Sequence, residues 1–145
     1  FIFTSSMNPS IAAASIKSIE LAKESDDLRA NIRLNSDRIR QGLREARIPF
    51  LENDSHIIPI HLYDPALCKQ AANLLIEKHG IYIQPVFFPT VPKGDERFRV
   101  TISPRHEAED IDRFVEALED IWTVMDLRRA DPEEFAAKES VSRIY

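Results

Sequence analysis

The stretch that decides the fold is residues 80–102, which read GIYIQPVFFPTVPKGDERFRVTI. Its two runs rich in β-branched and aromatic residues, 81–83 and 97–102, predict strands, since such side chains favour extended backbone. The connection between them, residues 85–96, holds three prolines, one glycine and two adjacent phenylalanines. Such a stiff loop is a frequent carrier of functional groups, although a connection that only needs rigidity has the same composition.

The sequence on both sides of this stretch predicts helices around a small sheet. Capping side chains before proline and apolar residues at helical spacing predict helices from about residues 9, 26, 65, 108 and 132. Residues 48–51 and 56–62 predict two further strands, and Pro59 places the second at a sheet edge or a bulge. Without the short terminal helix from about residue 132, the order is α-α-β-β-α-β-β-α, which suits a small antiparallel or mixed sheet with helices on one face.

The composition is that of a globular protein. The chain has 145 residues, 43% of them hydrophobic and 30% charged, with a net charge of −5. No apolar window approaches the roughly 18 residues of a membrane helix, and the acidic balance argues against nucleic acid or an anionic membrane as partner. The single cysteine, Cys68, favours a reducing compartment and is expected to be a buried, inert thiol. The four histidines lack paired spacing, so no metal site is expected.

The chain opens on Phe1-Ile2-Phe3, with no methionine before it. An apolar run of this kind is normally buried in a fold, whereas natural amino termini are usually polar and frayed. We therefore expect the 145 residues to be the trailing part of a longer polypeptide, which completes their core.

Two arginines, Arg97 and Arg99, stand on either side of Phe98 in the last predicted strand. Side chains at i and i+2 of a strand share a face, so both arginines should point away from the core that receives Phe98. A guanidinium held there can grip a carboxylate with two parallel hydrogen bonds. The alternative is a surface ion pair with Asp95 or Glu96, and only one of the two arginines need be a ligand.

Hydroxyl side chains precede the first helix, at Thr4, Ser5 and Ser6, just before its Asn8-Pro9 start. Free backbone N–H groups at a helix start can receive an anion together with such hydroxyls, and phosphate would be the natural guest. Simple capping of the helix is the alternative explanation of the same residues.

Seven blocks of the sequence follow one another at characteristic spacings. They are Phe1-Ile2-Phe3-Thr4-Ser5-Ser6, Ser55-His56-Ile57-Ile58-Pro59-Ile60, Asp64-Pro65 with Cys68-Lys69-Gln70, Gly80-Ile81-Tyr82-Ile83-Gln84-Pro85, Pro89-Thr90-Val91-Pro92-Lys93-Gly94, Glu96-Arg97-Phe98-Arg99 and Ser103-Pro104-Arg105-His106. Together they resemble the C-terminal part of the 5-aminolevulinate synthase family, a branch of the α-oxoamine synthases, over residues 1–127. One block would be weak evidence, whereas the ordered series is strong.

This resemblance implies an α/β fold, locally α+β, in which the chain is the C-terminal domain of a fold-type I pyridoxal 5'-phosphate enzyme. The implied reaction condenses glycine with succinyl-CoA to 5-aminolevulinate, CoA and CO₂, the first dedicated step towards haem. The implied assembly is a homodimer with its active site at the interface, in the bacterial cytoplasm or the mitochondrial matrix. The implied boundaries are 1–25 for the end of the large domain and its linker, 26–127 for the small domain and 128–145 for an extension.

The resemblance also carries over to individual residues. Arg99 matches the arginine that grips the glycine carboxylate, and Thr90 matches the threonine beside the substrate in the active-site loop. Thr4 and Ser5 match the hydroxyl pair that contacts the cofactor phosphate of the other subunit. The family lysine that binds the cofactor precedes this segment, so no catalytic residue is expected within it. At Glu107 the sequence departs from the threonine that is usual at the start of the following helix.

Two other functions stay open at this point. One is another α-oxoamine synthase with a different choice of amino acid or acyl-CoA. The other is a non-catalytic module, which would pair with a separate lysine-bearing subunit or serve as an interaction domain. The absent lysine and the long charged helix from about residue 26 to 46 are compatible with such a module.

Overall fold

The structure is a computed structural model that describes residues 6–139. Its elements are α1 (Pro9–Glu24), α2 (Asp26–Glu45), β1 (Ile57–His61), α3 (Pro65–His79), β2 (Gln84–Val86), β3 (Arg97–Thr101), α4 (Ala108–Val124) and α5 (Pro132–Glu139). The predicted helices all form, in the predicted order. No helix in this range combines the length and the apolar character needed to cross a membrane.

The sheet is antiparallel, with β3 in the centre and β1 and β2 on either side of it. The register places Arg99 of β3 opposite Pro59 on one side and opposite Gln84 on the other. Pro59 lies in an outer strand, where its missing N–H does least harm to the hydrogen-bond ladder. The chain thus builds the antiparallel form of the predicted sheet.

The predicted strand at residues 81–83 is wrong, because the strand begins three residues later, at Gln84–Val86. Gly80 takes the left-handed conformation at φ +65°, and the N–H of Ile81 donates to the carbonyl of Leu75 at 3.1 Å. The chain is therefore still closing the end of α3 at Ile81 and reaches the sheet only afterwards.

The predicted strand at residues 48–51 is also wrong, since this segment makes a single bridge, between Phe50 and Ile60. The N–H of Ile48 donates back into the last turn of α2 at 2.8 Å, and Pro49 has no N–H to offer. The segment is tied to the outer edge of β1 by two backbone hydrogen bonds, from the Leu51 N–H to the Pro59 carbonyl and from the His61 N–H to the Pro49 carbonyl, both at 2.9 Å, but it does not form a full strand.

The helices pack on one face of the sheet, as predicted. The strand side chains on that face are buried, namely Ile58, Ile60, Phe98 and Val100. They share one hydrophobic core with residues of α2, α3 and α4, among them Leu43, Leu75, Leu118, Ile121 and Trp122. The alternate strand positions form the opposite side, here called the open face, which consists of residues 57, 59, 61, 84, 86, 97, 99 and 101. The helices leave the open face uncovered, so a binding site can form on it.

Helix caps hold the elements in place. The carboxylate of Asp64 accepts hydrogen bonds from the N–H groups of Ala66 and Leu67, both at 2.8 Å, and fixes the start of α3. The amide of Asn8 accepts one from the N–H of Ser10 at 2.9 Å, and so caps α1. Both caps confirm the Asx-Pro signals of the sequence.

Helix α4 begins without the usual threonine, yet its first turn is satisfied. The N–H of Glu107 donates to Oδ2 of Asp110 at 3.1 Å, and the two residues form a capping box at the start of the helix. Four residues of its predicted apolar stripe are buried, namely Ile111, Leu118, Ile121 and Trp122. The stripe therefore fixes α4 on the sheet.

Helix α1 differs from α2, α3 and α4 because none of its residues is buried. Ile11, Ile16 and Ile19 are each more than half exposed. The sequence predicts close packing for this helix, and no element within residues 6–139 provides it. The apolar side of α1 is thus the largest departure from the usual rule that such stripes face a core.

Candidate functional site

A concave site of about 520 Å³ lies on the open face of the sheet, beside the loop that connects β2 to β3. Arg99 and Thr90 both line it, so the structure brings together two of the residues predicted from the sequence. Apolar side chains make up much of the remaining wall, among them Ile57, Pro59, Val86, Phe87 and Val91. A mostly apolar concavity with few polar groups is typical of a small-molecule site.

Arg99 stands in the centre of the open face. It is exposed, and its neighbours in the register are Pro59, which has no charge, and Gln84. The Gln84 amide is already engaged, since its nitrogen donates to the Pro85 carbonyl at 2.9 Å and its oxygen accepts from the Tyr82 hydroxyl at 2.8 Å. No acidic side chain in the described part of the chain forms an ion pair with Arg99, whose guanidinium can therefore receive an external carboxylate.

Arg97 lies on the same face but is already paired. Its guanidinium forms an ion pair with the carboxylate of Asp95, and its Nε donates to the Asp95 carbonyl at 3.0 Å. Oδ1 of Asp95 also lies 3.2 Å from Nδ1 of His61, whose side chain is almost entirely buried. The surface ion-pair interpretation is thus right for Arg97, and the ligand interpretation fits Arg99.

Glu96 is not the surface ion-pair partner that the sequence suggested. It is only 3% exposed, and its side chain accepts a hydrogen bond from the N–H of Gly94 at 3.0 Å. Its backbone carbonyl accepts from the N–H groups of Leu62 and Tyr63, both at 3.0 Å. Glu96 therefore ties the base of the loop to the end of β1, a role that the spacing of Gly94 and Glu96 could have suggested.

The tip of the loop presents Thr90 towards the site. The N–H of Thr90 donates to the Phe87 carbonyl at 2.9 Å, which closes a tight turn, and the Phe88-Pro89 peptide bond is cis. Phe88 is 60% exposed, and Nζ of Lys93 lies 5.3 Å from the centre of its ring, a cation–π contact. The loop thus has a defined shape of its own at the mouth of the cavity.

A second cavity of about 480 Å³ adjoins Arg99 on its other side, between the sheet and α4. His106, Asp110 and Arg113 are the polar side chains of α4 and its approach that line it. Asp110 is used in the start of α4, and Nη2 of Arg113 donates to the His79 carbonyl at 3.0 Å. These groups are committed to the fold, so the first cavity is the better candidate site.

Cys68 is confirmed as a buried thiol with no solvent exposure. Burial, with smaller contributions from the Glu96 and Asp64 charges, raises the pKa of Cys68 to about 12. A thiol of this kind carries almost no thiolate at neutral pH, which makes it unsuited to nucleophilic catalysis.

Thr4 and Ser5, the predicted phosphate contacts, lie outside the described residues. Within the described part, α1 begins next to them with Asn8 as its cap. Among the described side chains, the five lysines are all exposed on helices or in the loop, namely Lys17, Lys23, Lys69, Lys78 and Lys93. The site built by residues 6–135 therefore suits a carboxylate, and it offers no enclosed amine.

Comparison with curated proteins gives a consistent set of relatives. The "5-aminolevulinate synthase" of Paracoccus denitrificans is 39% identical over 132 residues, which cover 90% of this chain and 32% of that protein. That of Bradyrhizobium diazoefficiens is 43% identical over 122 residues, or 84% and 30% of the two chains. The mitochondrial "5-aminolevulinate synthase" of Kluyveromyces lactis is 38% identical, over 89% and 23%. The chain spans about a quarter to a third of the length of these relatives.

Solved structures agree with the fold. The serine palmitoyltransferase of Sphingomonas wittichii matches with a TM-score of 0.76 at 28% sequence identity, over 84% of this chain and 31% of that one. The 8-amino-7-oxononanoate synthase of Francisella tularensis matches with a TM-score of 0.71 at 19% identity, over 86% and 35%, and supports the fold alone.

The sequence model of a protein family covers most of the chain. It describes aminotransferases of class I and II and matches residues 1–118, which include the whole sheet and the loop that carries Thr90. The chain therefore belongs to the aminotransferase class I and II family.

Proposed function

We propose that this chain is the substrate-binding C-terminal part of a 5-aminolevulinate synthase, a pyridoxal-phosphate-dependent acyltransferase. The reaction would join glycine and succinyl-CoA to give 5-aminolevulinate, CoA and CO₂. The observation that carries the proposal is Arg99, an exposed guanidinium without an ion-pair partner among the side chains of residues 6–135, in one cavity with Thr90. The identity of about 40% to named 5-aminolevulinate synthases supports the choice among related reactions.

The role of Arg99 follows from its geometry. A guanidinium donates two parallel hydrogen bonds to a carboxylate, which fixes both the position and the plane of a bound amino acid. Arg99 is held on the central strand of the sheet, so this orientation is set by a rigid element. Such positioning of the reacting atoms can lower the barrier by several kcal/mol.

Thr90, in the loop between β2 and β3, would bind the second reactant, the acyl substrate. Its hydroxyl stands at the rim of the cavity, where a donor and acceptor can meet the polar end of an acyl substrate. The turn between Phe87 and Thr90 holds this hydroxyl in place. Arg99 and Thr90 together would thus bring an amino acid and its acyl partner to one side of the sheet.

Pyridoxal phosphate, when bound, supplies the electron sink that stabilises a carbanion at the α-carbon of the amino acid. From this chain, Thr4 and Ser5 would hold its phosphate, across the interface of a homodimer. The exposed lysines of the described segment do not suit its covalent attachment, which we therefore assign to a lysine outside the described residues. The described residues can bind the carboxylate of the amino acid, whereas Thr4, Ser5 and that lysine would bind the cofactor.

The structure bears on the proposed boundaries as well. No residue of helix α1, within the proposed 1–25 unit, is buried, whereas residues from α2 to Leu127 share one core. This supports a small domain that begins near residue 26. The proposed 128–145 extension is joined to that domain in its first part, because Ala130 is buried and Phe135 packs against the same core. Relatives from bacteria and mitochondria support the bacterial cytoplasm or the mitochondrial matrix as the compartment.

The test is a kinetic comparison of variants in the full-length enzyme. Arg99→Lys and Arg99→Leu should raise the glycine KM by one to two orders of magnitude, because each removes the bidentate donor. Arg33→Lys, an exposed position on α2, serves as the matched control and should leave KM unchanged. A normal glycine KM in Arg99→Leu would refute the assignment of Arg99.

A second reaction of the same class is favoured by the likeness to serine palmitoyltransferase, at 28% identity. Assays of the full-length enzyme with glycine, alanine and serine, each against several acyl-CoA chain lengths, separate the two. A preference for glycine with succinyl-CoA supports the first proposal, and a preference for serine with a long acyl chain supports the second.

A further inference from the structure

The side chains of Arg97 and Arg99 both lie on the open face, but they differ in whether an acidic side chain forms an ion pair with them. Arg97 and Arg99 are two residues apart on β3, a separation of about 7 Å along a strand. Both line the cavity of about 520 Å³. Arg97 forms an ion pair with Asp95, whereas Arg99 has no such partner among the described side chains, those of residues 6–135. Of the two arginines that line the cavity, only Arg99 is therefore available to bind an anionic ligand.

The partner of Arg97 is itself firmly placed. The Asp95 carboxylate contacts both the Arg97 guanidinium and, at 3.2 Å, Nδ1 of His61, so it bridges β3 and β1. The His61 ring stacks on Tyr63 with the ring centres 5.3 Å apart and the planes within 15°. The guanidinium of Arg128 lies 5.4 Å from the centre of the Tyr63 ring. Tyr63 and Arg128 thus pack around the His61 ring, which lies beside the Asp95 carboxylate.

We infer that Asp95 determines substrate specificity by keeping Arg97 neutralised in an ion pair, so that the site accepts an amino acid with one carboxylate. Without the Asp95 charge, Arg97 and Arg99 would form a two-cation site that also binds dicarboxylates. This inference rests on the proposed function, because it takes Arg99 to be the carboxylate ligand. Asp95 acts through Arg97 and is a specificity-determining residue that need not touch the substrate.

The experiment compares a monocarboxylate with a dicarboxylate in the full-length enzyme. Acetate and malonate are used as competitors of glycine, and their inhibition constants are checked by calorimetric titration, which does not depend on turnover. Asp95→Asn should tighten malonate binding about tenfold and change acetate binding less than twofold. Asp54→Asn, which removes one exposed negative charge elsewhere, is the matched control and should change neither.

Two further variants separate this effect from a general disturbance of the fold. The double variant Asp95→Asn/Arg97→Met should lose the gain in malonate affinity, because the released cation is gone. Arg97→Met alone should change malonate affinity less than twofold, since its cation is already neutralised in the natural protein. If Arg97→Met alone weakens malonate binding more than fivefold, the inference is overturned. This test can be made even if the Asp95 variants do not fold.

The outcomes also separate this inference from the function on which it rests. If Arg99→Leu leaves acetate binding unchanged, the proposed function fails. If Arg99→Leu weakens acetate binding but folded Asp95→Asn protein binds malonate no better than the natural protein, only the inference about Asp95 fails. A malonate gain that persists in the Asp95→Asn/Arg97→Met protein also overturns the inference.

Discussion

Gly42 of α2 faces Val115 of α4 so closely that a Cβ at residue 42 would lie 2.9 Å from both Val115 methyl groups. Helices α2 and α4 can approach only because residue 42 has no side chain. Gly42→Ala should destabilise the protein by about 1 kcal/mol, since overpacking costs about 1–3 kcal/mol and alanine recovers up to about 1 kcal/mol of helix propensity. Thermal unfolding of the two proteins checks this.

The same substitution should have the opposite effect on stability when Val115 is also replaced. In a Val115→Ala background the space for a Cβ exists, so Gly42→Ala should stabilise the protein by up to about 1 kcal/mol. If Gly42→Ala is equally destabilising in both backgrounds, the contact with Val115 is not the cause.

The cap of α3 gives a second prediction. Asp64→Ala removes the acceptor of two backbone N–H groups and should cost about 1–2 kcal/mol, because α3 supplies Cys68 and Leu75 to the core. Asp64→Asn retains an acceptor oxygen and should cost far less. Denaturant unfolding followed by circular dichroism measures both, and equal losses would mean that charge rather than capping matters.

Stability should depend on pH through one ion pair between α2 and α4. Arg38 donates to both carboxylate oxygens of Asp112, at 2.7 and 2.6 Å, and these hydrogen bonds lower the pKa of Asp112 below 3.8. A lowered folded-state pKa means that the stabilisation is present above pH 3.8 and is lost as the pH falls through the folded value. The contribution is small because both side chains are about half exposed.

The measurement compares melting temperatures of natural protein and Arg38→Met from pH 7 down to pH 2.5. The difference should be largest at neutral pH and vanish at the acid end. Arg33→Met provides the control for loss of an exposed arginine on the same helix. A difference between natural and Arg38→Met protein that grows towards acid pH would contradict the sign.

Cys68 should resist thiol reagents in the folded protein. With its pKa raised to about 12 from an ordinary value of 9.0, the thiolate fraction at pH 8 falls about a thousandfold, and burial blocks access as well. Labelling at pH 8, followed by mass spectrometry of the Cys68 peptide, should be slow in buffer and fast in denaturant. Rapid labelling in buffer would show that α3 opens readily.

The sequence was most informative where the determinants are local. Asp64, Gly80 and the stripe of α4 predict helix ends and a core-facing side because capping and helical spacing need only neighbouring residues. The strand after Gly80 was misplaced because the closing turn of α3 uses the N–H of Ile81, and this depends on where the helix ends in three dimensions.

In the candidate site, too, the sequence predicted only the features that depend on neighbouring residues. Alternation along a strand predicted that Arg97 and Arg99 share a face, which the structure confirms. It could not tell them apart, because the pairing of Arg97 depends on Asp95 turning towards His61 of another strand. Glu96 was misjudged for a related reason, since its burial follows from contacts with Gly94 and the end of β1.

Trp122 is the single tryptophan of these 145 residues, and it joins two parts of the fold. Its indole is 1% exposed in the core, while its N–H donates to the Arg128 carbonyl at 3.1 Å, where the segment leading to α5 leaves α4. Indole emission shifts to longer wavelength when water reaches the ring. Trp122 is thus a built-in fluorescent reporter, whose emission should register detachment of the C-terminal segment before the core itself unfolds.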